Sequence, residues 1–176
     1  MPIPSFDPLP ILETERLRLR EWRESDAAEV FFLRSDPRIQ KYLGRPPAAS
    51  IDDAIAHIRM IIDGTANGKW VSWIITMKGE DICLGDIGFW NYHETKPQAE
   101  IGYQLHPDYQ RKGLMSEAMA KVLDFGLNEM GLKLISAHLH RENDRSVNLL
   151  QRFMFIHDET IVDEDEPFME TWALKS

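Results

Sequence analysis

The chain is poor in cysteine. Cys83 stands alone, so no internal disulfide forms and a cross-linked secreted scaffold is excluded. A reducing compartment fits, and Cys83 itself reads as an inert strand residue. Nowhere do consecutive apolar residues reach the roughly twenty that a membrane-spanning helix needs. The opening MPIPSFDPLP has neither a charged start nor a long apolar run, so no signal peptide is expected and a cytoplasmic protein is the simplest reading. Positive charge is also short: 20 Lys and Arg stand against 29 Asp and Glu, a formal net charge of −9. That balance argues against direct binding of nucleic acid or of an anionic membrane, both of which need a basic surface. It would suit a cationic substrate such as an amine or a basic peptide, and it would equally serve solubility alone. His138 and His140 form an H-x-H pair, but no third ligand has a suitable spacing, and no metal is assigned. His57 and His106 carry no further signal. Gly113 is not followed by a Lys-Ser/Thr pair, which removes a P-loop nucleotide enzyme.

A chain of 176 residues is expected to form one domain. Four of its ten prolines fall in residues 1–10, which read as an extended arm, leaving residues 11–176 as the domain. Arg16–Trp22 alternates as a strand. Ser25 is a good helix cap before the stripe Ala27, Val30, Phe31 and Leu33. Asp36-Pro37 breaks that helix, and a short helical piece follows through Ile39, Tyr42 and Leu43. Ser50 caps a second long helix with its apolar face at Ile51, Ala54, Ile55, Ile58, Ile61 and Ile62, ended by Gly64 to Gly68. Trp70–Met77 and Ile82–Tyr92 read as strands about a turn at Lys78–Asp81. The glycines at 85 and 88 mark a bulge or close packing. Glu94–Pro97 is a turn. Leu134–His140 is a strand, Asn143 caps a short helix, and Phe155–Val162 and Phe168–Leu174 are closing strands about the acidic turn 163–167. The order implies an α/β (α+β) domain: a mixed sheet of about seven strands with helices on both faces.

The stretch that organises the chain is Gln98–Ala118, QAEIGYQLHPDYQRKGLMSEA. Ala99, Ile101, Tyr103 and Leu105 alternate with other residues, the period of a half-buried strand. Pro107-Asp108 stops it. A basic glycine turn follows, and then a helix with Met115, Met119, Val122, Leu123 and Leu127 on its core face and Gly131 as C-cap. The first amides of a helix have no internal partner and face outward with the positive end of its dipole, a site for a phosphate. Gly113 lets backbone approach such an anion, and Arg111 and Lys112 add charge.

Gln110-Arg111-Lys112-Gly113-Leu114-Met115 resembles the acyl-CoA pyrophosphate loop of the GCN5-related N-acetyltransferases (GNAT), Gln/Arg-x-x-Gly-x-Gly/Ala, with Met115 at the last small position. The phrase AEIGYQLHPDYQRKG, with LETERLRLREW before it, resembles the RimJ/RimL-type branch, which acetylates N-termini of ribosomal proteins and often carries Met there. The resemblance runs from about Leu12 to about Leu174. It implies a GNAT-like fold, with central strands splayed to admit acetyl-CoA as co-substrate. It also implies that the pyrophosphate is held at Gln110, Arg111, Lys112, Gly113, Leu114, Met115 and Ser116. The thioester carbonyl would meet an open strand amide near Leu105. The two N-terminal helical pieces would lie over the acceptor side.

Acyl transfer to an amine needs a held thioester, a stabilised oxyanion, a deprotonated amine and a protonated thiolate. Glu100 shares a strand face with Gly102 and Gln104. A carboxylate near a sheet centre is costly when unpaired, and Glu100 matches the strand glutamate that is the general base in several GNAT enzymes. An exposed or ion-paired strand residue is the plain alternative. Asn143 and Ser146, three apart at a helix start, resemble the family's Asn-x-x-Ser/Ala segment beside the pantetheine and thiol. A plain helix cap would use Asn143 equally well. Many family members have a tyrosine acid four residues after that Ser/Ala; here it is Leu150, and the branch suggests Ser146 as thiolate partner instead. Met154-Phe155 replaces the family's Gly-Phe, which predicts an altered turn, since Met resists a positive φ. Trp90, Asn91 and Tyr92 end a strand beside the central one and are candidates for an acceptor pocket.

The expectation is an acetyl-CoA-dependent N-acetyltransferase working by direct attack in a ternary complex, its acceptor a protein N-terminus such as that of a ribosomal protein. A small amine (an amino acid, polyamine or aminoglycoside) is the alternative acceptor. A non-catalytic acyl-CoA sensor is the rival from another class. Base rates favour a homodimer.

Overall fold

A strand that serves two cores shows how the sheet is built. The computed structural model describes residues 6–93 and 95–176, so part of the arm at 1–10 and Glu94 of the expected turn lie outside the described residues. Among the described residues eight strands, β1 Leu12–Glu13, β2 Leu17–Arg20, β3 Val71–Met77, β4 Gly85–Trp90, β5 Gln98–Leu105, β6 Leu134–His140, β7 Ile156–His157 and β8 Met169–Lys175, form one sheet in the order β1-β2-β3-β4-β5-β6-β8-β7. Only β5 and β6 run parallel; the other pairs are antiparallel. Along β3, Val71, Trp73 and Ile75 enter one core while Ile74 enters the other, the two-residue period of a strand covered on both faces. Helices α1 Ala27–Ser35 and α3 Ile51–Ala66 cover the Ile74 face. Helix α4 Leu114–Asn128 packs on the other face, joined by Leu150 of α5 Asp144–Arg152. The mixed sheet with helices on both faces is therefore as expected, with one strand more than the seven foreseen. The addition is β1, two residues long and too short to show a period.

Several local expectations are corrected. Ser25 does not cap α1. It sits inside a 3-10 turn, Glu24–Asp26, and Asp26 stands at the cap position without capping α1. The Asp26 carboxylate is instead taken by Arg20, with bonds of 2.7 and 2.9 Å between side chains that are both almost fully buried. Asp36 does cap the short helix α2, Pro37–Gln40, and Ser50 caps α3 with Asp53 completing a capping box. Helix α3 ends at Ala66, inside the expected 64–68, and Gly64 is still helical. It is buried within the helix because the Trp70 ring lies on it, where a Cβ would stand 1.9 Å from a ring carbon. Ile51 and Ile62 lie at the solvent edge of the predicted apolar stripe. The strand expected over Ile82–Tyr92 is shortened to β4, and its two glycines are close packing: a Cβ at Gly85 would lie 2.2 Å from the Gln104 carbonyl oxygen and one at Gly88 2.4 Å from that of Val71. Phe155–Val162 gives only the two residues of β7, because beyond Asp158 the chain turns through Thr160 instead of pairing. In α4, Met115 and Leu127 are only partly buried, and Leu114, Ala118 and Phe125 fill the core beside Met119 and Val122. The cap of α4 is Glu129, with Gly131 left-handed two residues later.

In the turn after α5 Met154 takes φ +65°, and the amides of Met154 and Phe155 close on the carbonyls of Gln151 and Leu150 at 3.1 and 3.0 Å. A side chain sits in a backbone conformation where glycine would be at ease.

Candidate active site

The site begins where two parallel strands part. Pairing of β5 with β6 covers only Gln98–Glu100 against Leu134–Ser136. From Ile101 onward β5 keeps its antiparallel partner β4 but has lost β6. The His106 amide donates to the Leu84 carbonyl at 2.7 Å. Amide directions alternate along a strand, so the Leu105 N–H points away from β4 into the opened gap. This is the expected splay, and it presents the backbone of Leu105 at its mouth.

The turn from β5 to α4 closes one side of the gap. A 3-10 turn at Pro107–Tyr109 leads to Arg111 at φ +62° and Gly113 at φ +76°, with Gly113 as the N-cap of α4. The left-handed Gly113 turns the chain so that α4 starts with its free amides toward the gap. Gln110 is used internally: its Nε2 donates to the Leu105 carbonyl at 2.9 Å, and its Oε1 accepts from Arg145. Lys112 also points away from the loop's concave side, its Nζ 5.2 Å over the Tyr109 ring, while its carbonyl accepts from Arg16 at 3.0 Å. Arg16 is in turn held by Glu117 of α4 at 2.8 Å.

A cavity of about 950 Å³ lies against this turn and is lined by Leu105, Gln110, Arg111, Gly113, Leu114, Met115 and Ser116, with Asn143 and Ser146 opposite. Of the candidate loop residues, only Lys112 is off its wall. Its other charges come from residues the sequence reading did not single out: Arg38 and Lys41 after α1, and Arg145 and Arg152 on α5. Against them stand Glu142 and Asp144. A surplus of cations in a chain of net charge −9 makes this cavity able to hold a polyanion.

A second cavity, about 850 Å³, adjoins it. Tyr42, Leu43, Tyr103, Gln104, Asn143 and Ser146 line both and form the seam. Helix α3 contributes His57, Met60 and Ile61 to the second cavity, and Trp90 lies on its wall. Here the charge is reversed: Asp86, Glu100, Asp163, Glu164 and Glu166 face Arg45.

Glu100 faces this acidic cavity with Gly102 and Gln104, as strand alternation requires. It is neither deeply buried nor alone. Its Oε2 accepts from Asn91 Nδ2 at 2.8 Å and lies 3.8 Å from His138 Nε2. Asn91 reaches it from φ +49° at the end of β4. His138 is therefore not the bland residue it seemed: Thr171 holds its Nδ1 at 2.8 Å, which aims Nε2 at Glu100. The H-x-H alternation put His138 on one strand face, but only the β5–β6 pairing shows that Glu100 shares it. Asn143 caps α5, its Oδ1 accepting from the Ser146 amide at 3.3 Å. Leu150 is fully buried in the core. A tyrosine nonetheless reaches the seam from β5: burial pushes the Tyr103 phenol up to about 12, opposed by its contact with Ser146. The floor of the acidic cavity is Asp86, which accepts from Gln104 Nε2 at 2.6 Å; burial raises it to about 6. Burial, together with Arg34 and Arg45, lowers His57 to about 4. Cys83, expected in a strand, lies two residues ahead of β4, where burial pushes its thiol up. His106 stacks on Phe32 at 4.4 Å, a packing role. Among the described residues no group of acidic, histidine or cysteine side chains is arranged to hold a metal, and no helix is long and apolar enough to cross a membrane.

Comparison with known proteins agrees with this geometry. An uncharacterized N-acetyltransferase of Bacillus subtilis, YoaA, is 33% identical over 146 residues, 83% of this chain and 82% of that protein. Two solved structures superpose at 18% identity. One is an acetyltransferase of Salmonella typhimurium that modifies the N-terminal serine of the 50S subunit protein L7/L12 (TM-score 0.82, 95% of this chain and 99% of that one). The other is the RimL L7/L12 acetyltransferase in complex with coenzyme A (TM-score 0.81, 94% and 98%). The family model described as "Acetyltransferase (GNAT) domain" matches residues 16–156, a span that holds the splayed strands, the glycine turn and the seam, and the chain belongs to that family of N-acetyltransferases.

Proposed function

We propose that this N-acetyltransferase moves the acetyl group of acetyl-CoA to the N-terminal amine of a protein or peptide, by direct attack while both substrates are bound. The observation that carries this reading is the pair of adjoining cavities of opposite charge that meet at Tyr103, Gln104, Asn143 and Ser146. The cationic cavity suits the pyrophosphate of the cofactor, placed against the free amides of α4. The acidic cavity suits an ammonium group on its way to becoming the nucleophile. RimL-type neighbours, which act on a ribosomal-protein N-terminus, favour a peptide over a small amine. Glycine turn and strand gap would hold the thioester at the seam, with the Leu105 amide turned toward its carbonyl.

In this reading Glu100 draws the proton from the ammonium, held in place by Asn91 and His138. The Ser146 hydroxyl donates to the departing thiolate. Tyr103, kept protonated by burial, stands beside Ser146 and steadies its hydroxyl against the sulfur, near where the family more often has a tyrosine at the position of Leu150; the thiolate takes up the second proton that the amine nitrogen loses as the amide forms. Thiol release from acetyl-CoA with peptides beginning Ser, Ala or Met, and with free amino acids, polyamines and an aminoglycoside, tests the reading. The expected result is turnover with peptides, reduced about a hundredfold or more in Glu100→Gln, the usual scale of a lost general base. Turnover unchanged in that variant removes Glu100 from the mechanism. Cofactor binding without release for any amine would make the chain an acyl-CoA sensor.

A further inference from the structure

Two arginines at the acidic cavity, Arg45 on its wall and Arg34 off it, have no carboxylate in direct contact among the described residues. Arg45, on the loop between α2 and α3, lines that cavity. Its Nη2 donates to Gln104 Oε1 at 3.0 Å and its Nε to Gln40 Oε1 at 3.3 Å, both neutral amides. Arg34, on α1 behind it, has only His57 Nε2 at 3.5 Å, and its buried Nε has no hydrogen-bond partner. Neither arginine makes an ion pair among the described residues, although acids outnumber bases in the chain by nine. Burial is the first cause lowering the affinity of both for their protons, and for Arg45 the second is repulsion by Arg34. The carboxylate of the floor, Asp86, is reached only through Gln104, whose amide bridges the two: Nε2 to Asp86, Oε1 to Arg45. Asp86, and for Arg34 also Asp53, act on the guanidiniums only without direct contact, and burial lowers His57, beside Arg34, to about 4. Both are half-buried, and a cation withdrawn from water without a counterion is costly. Arg45 also keeps guanidinium N–H groups free to bind, since the guanidinium carries five and the two amides occupy two of them. Gln104 holds the guanidinium at the seam, so that its unused edge belongs to the same cavity as Glu100.

We propose that Arg45 is an anion subsite of the acceptor cavity and that the acceptor carries a carboxylate in addition to its reacting amine. The inference rests on the reading of this cavity as the acceptor side. The cavity is then bipolar: the ammonium is drawn to Glu100 and the rim acids, and the carboxylate to the Arg45 fork, which is shaped for bidentate binding. The carboxylate has two sources, an Asp or Glu side chain near a peptide's N-terminus, or the α-carboxylate of a free amino acid.

Matched acceptor pairs separate these. Peptides Ser-Asp-x-x and Ser-Glu-x-x are compared with Ser-Asn-x-x and Ser-Gln-x-x, and free amino acids with their amides. Each is assayed for kcat and KM with wild type, Arg45→Gln and Arg45→Lys. The carboxylate member of the responsive pair is expected to be favoured about tenfold or more, through KM, the scale of a charge-assisted hydrogen bond. Arg45→Gln brings that ratio to about one, and Arg45→Lys restores part of it. Equal KM within every pair in the wild type, or a ratio that survives in Arg45→Gln, overturns the proposal while leaving the acetyltransferase reading intact. Calorimetry with the same pairs on the CoA-loaded protein reads the subsite without turnover. Tighter binding of the acid member to wild type alone, with no thiol release, would keep the subsite and sink the peptide-acetylation reading. Equal binding of both members overturns the subsite.

Discussion

Asp86 offers the sharpest quantitative test of the buried polar floor. It is 8% exposed and its carboxyl is raised from 3.8 to about 6, mainly by burial, against the hydrogen bond from Gln104 and the attraction of Arg45 and Arg34. A carboxyl that holds its proton better in the folded state than in the unfolded one opposes folding once it ionises. The effect is absent below about pH 3.8, grows through the window up to about 6, and is complete above it. The gap between 3.8 and about 6, at about 1.4 kcal/mol per pH unit, amounts to about 3 kcal/mol. Asparagine resembles the protonated acid and can still accept from Gln104. Asp86→Asn is therefore expected to match the wild type near pH 4 and to exceed it by about 3 kcal/mol at pH 8. Urea unfolding of both proteins at half-unit steps from pH 4 to 8 measures this. The difference between the two curves cancels the other titrating acids. His57 supplies a control of opposite sign. It is lowered from 6.5 to about 4, so the unfolded chain takes up a proton that the folded one refuses, and stability is lost as pH falls through that window. His57→Asn should accordingly gain on the wild type only as the solution is made acid. A flat Asp86→Asn difference, or a loss of stability at pH 8, would refute the reasoning. It would mean that the two arginines need the carboxylate more than the cavity floor penalises it.

Two further outcomes follow from positions outside the site. Met154→Gly should raise stability by up to about 1 kcal/mol, or a few degrees in melting temperature. It relieves a left-handed L-residue, worth about 1–2 kcal/mol, against the greater freedom of glycine in the unfolded chain, and Met154 is 75% exposed and gives up little packing. Met154→Ala keeps the Cβ and should show no gain; an equal gain in both would locate the effect elsewhere. Asp26→Asn should destabilise by about 3 kcal/mol, the low end for a broken buried pair, because Asp81 still holds Arg20 Nε at 2.6 Å. Denaturant unfolding of Asp26→Asn beside Asp81→Asn decides it, and a smaller effect for Asp26→Asn would make Asp81 the main partner.

What could be read from the sequence was what a short window fixes. The alternation of Ala99, Ile101, Tyr103 and Leu105 gave the central strand, since the period of two is local. Pro107 and Gly113 gave the turn through their own backbone angles, and the Ser50 and Asn143 caps gave helix starts, since each of those side chains bonds three residues on. The candidate residues of Gln98–Ser116, Lys112 apart, fell around one gap for the same reason: strand, turn and helix are consecutive. The errors begin where a residue answers to a distant one. Ser25 does not cap α1, and Asp26 at the cap position is held by Arg20 instead. The closing strands came out in the order β6-β8-β7, and nothing in residues 155–174 alone says that the later strand should lie next to β6. The same limit separates the two cavities. The cationic one uses the continuous stretch Tyr103–Ser116, but also Arg38 and Lys41 after α1 and Arg145 and Arg152 on α5. The acidic one needs Arg45 bonded to Gln104, 59 residues away, and Glu100 set against His138 by a pairing of three residues between β5 and β6. A motif can therefore specify the group that is transferred. The group that receives it is chosen by contacts between segments far apart in the chain, and the charges of those contacts, above all Arg45 and Glu100, are where substrate preference in this protein should be sought.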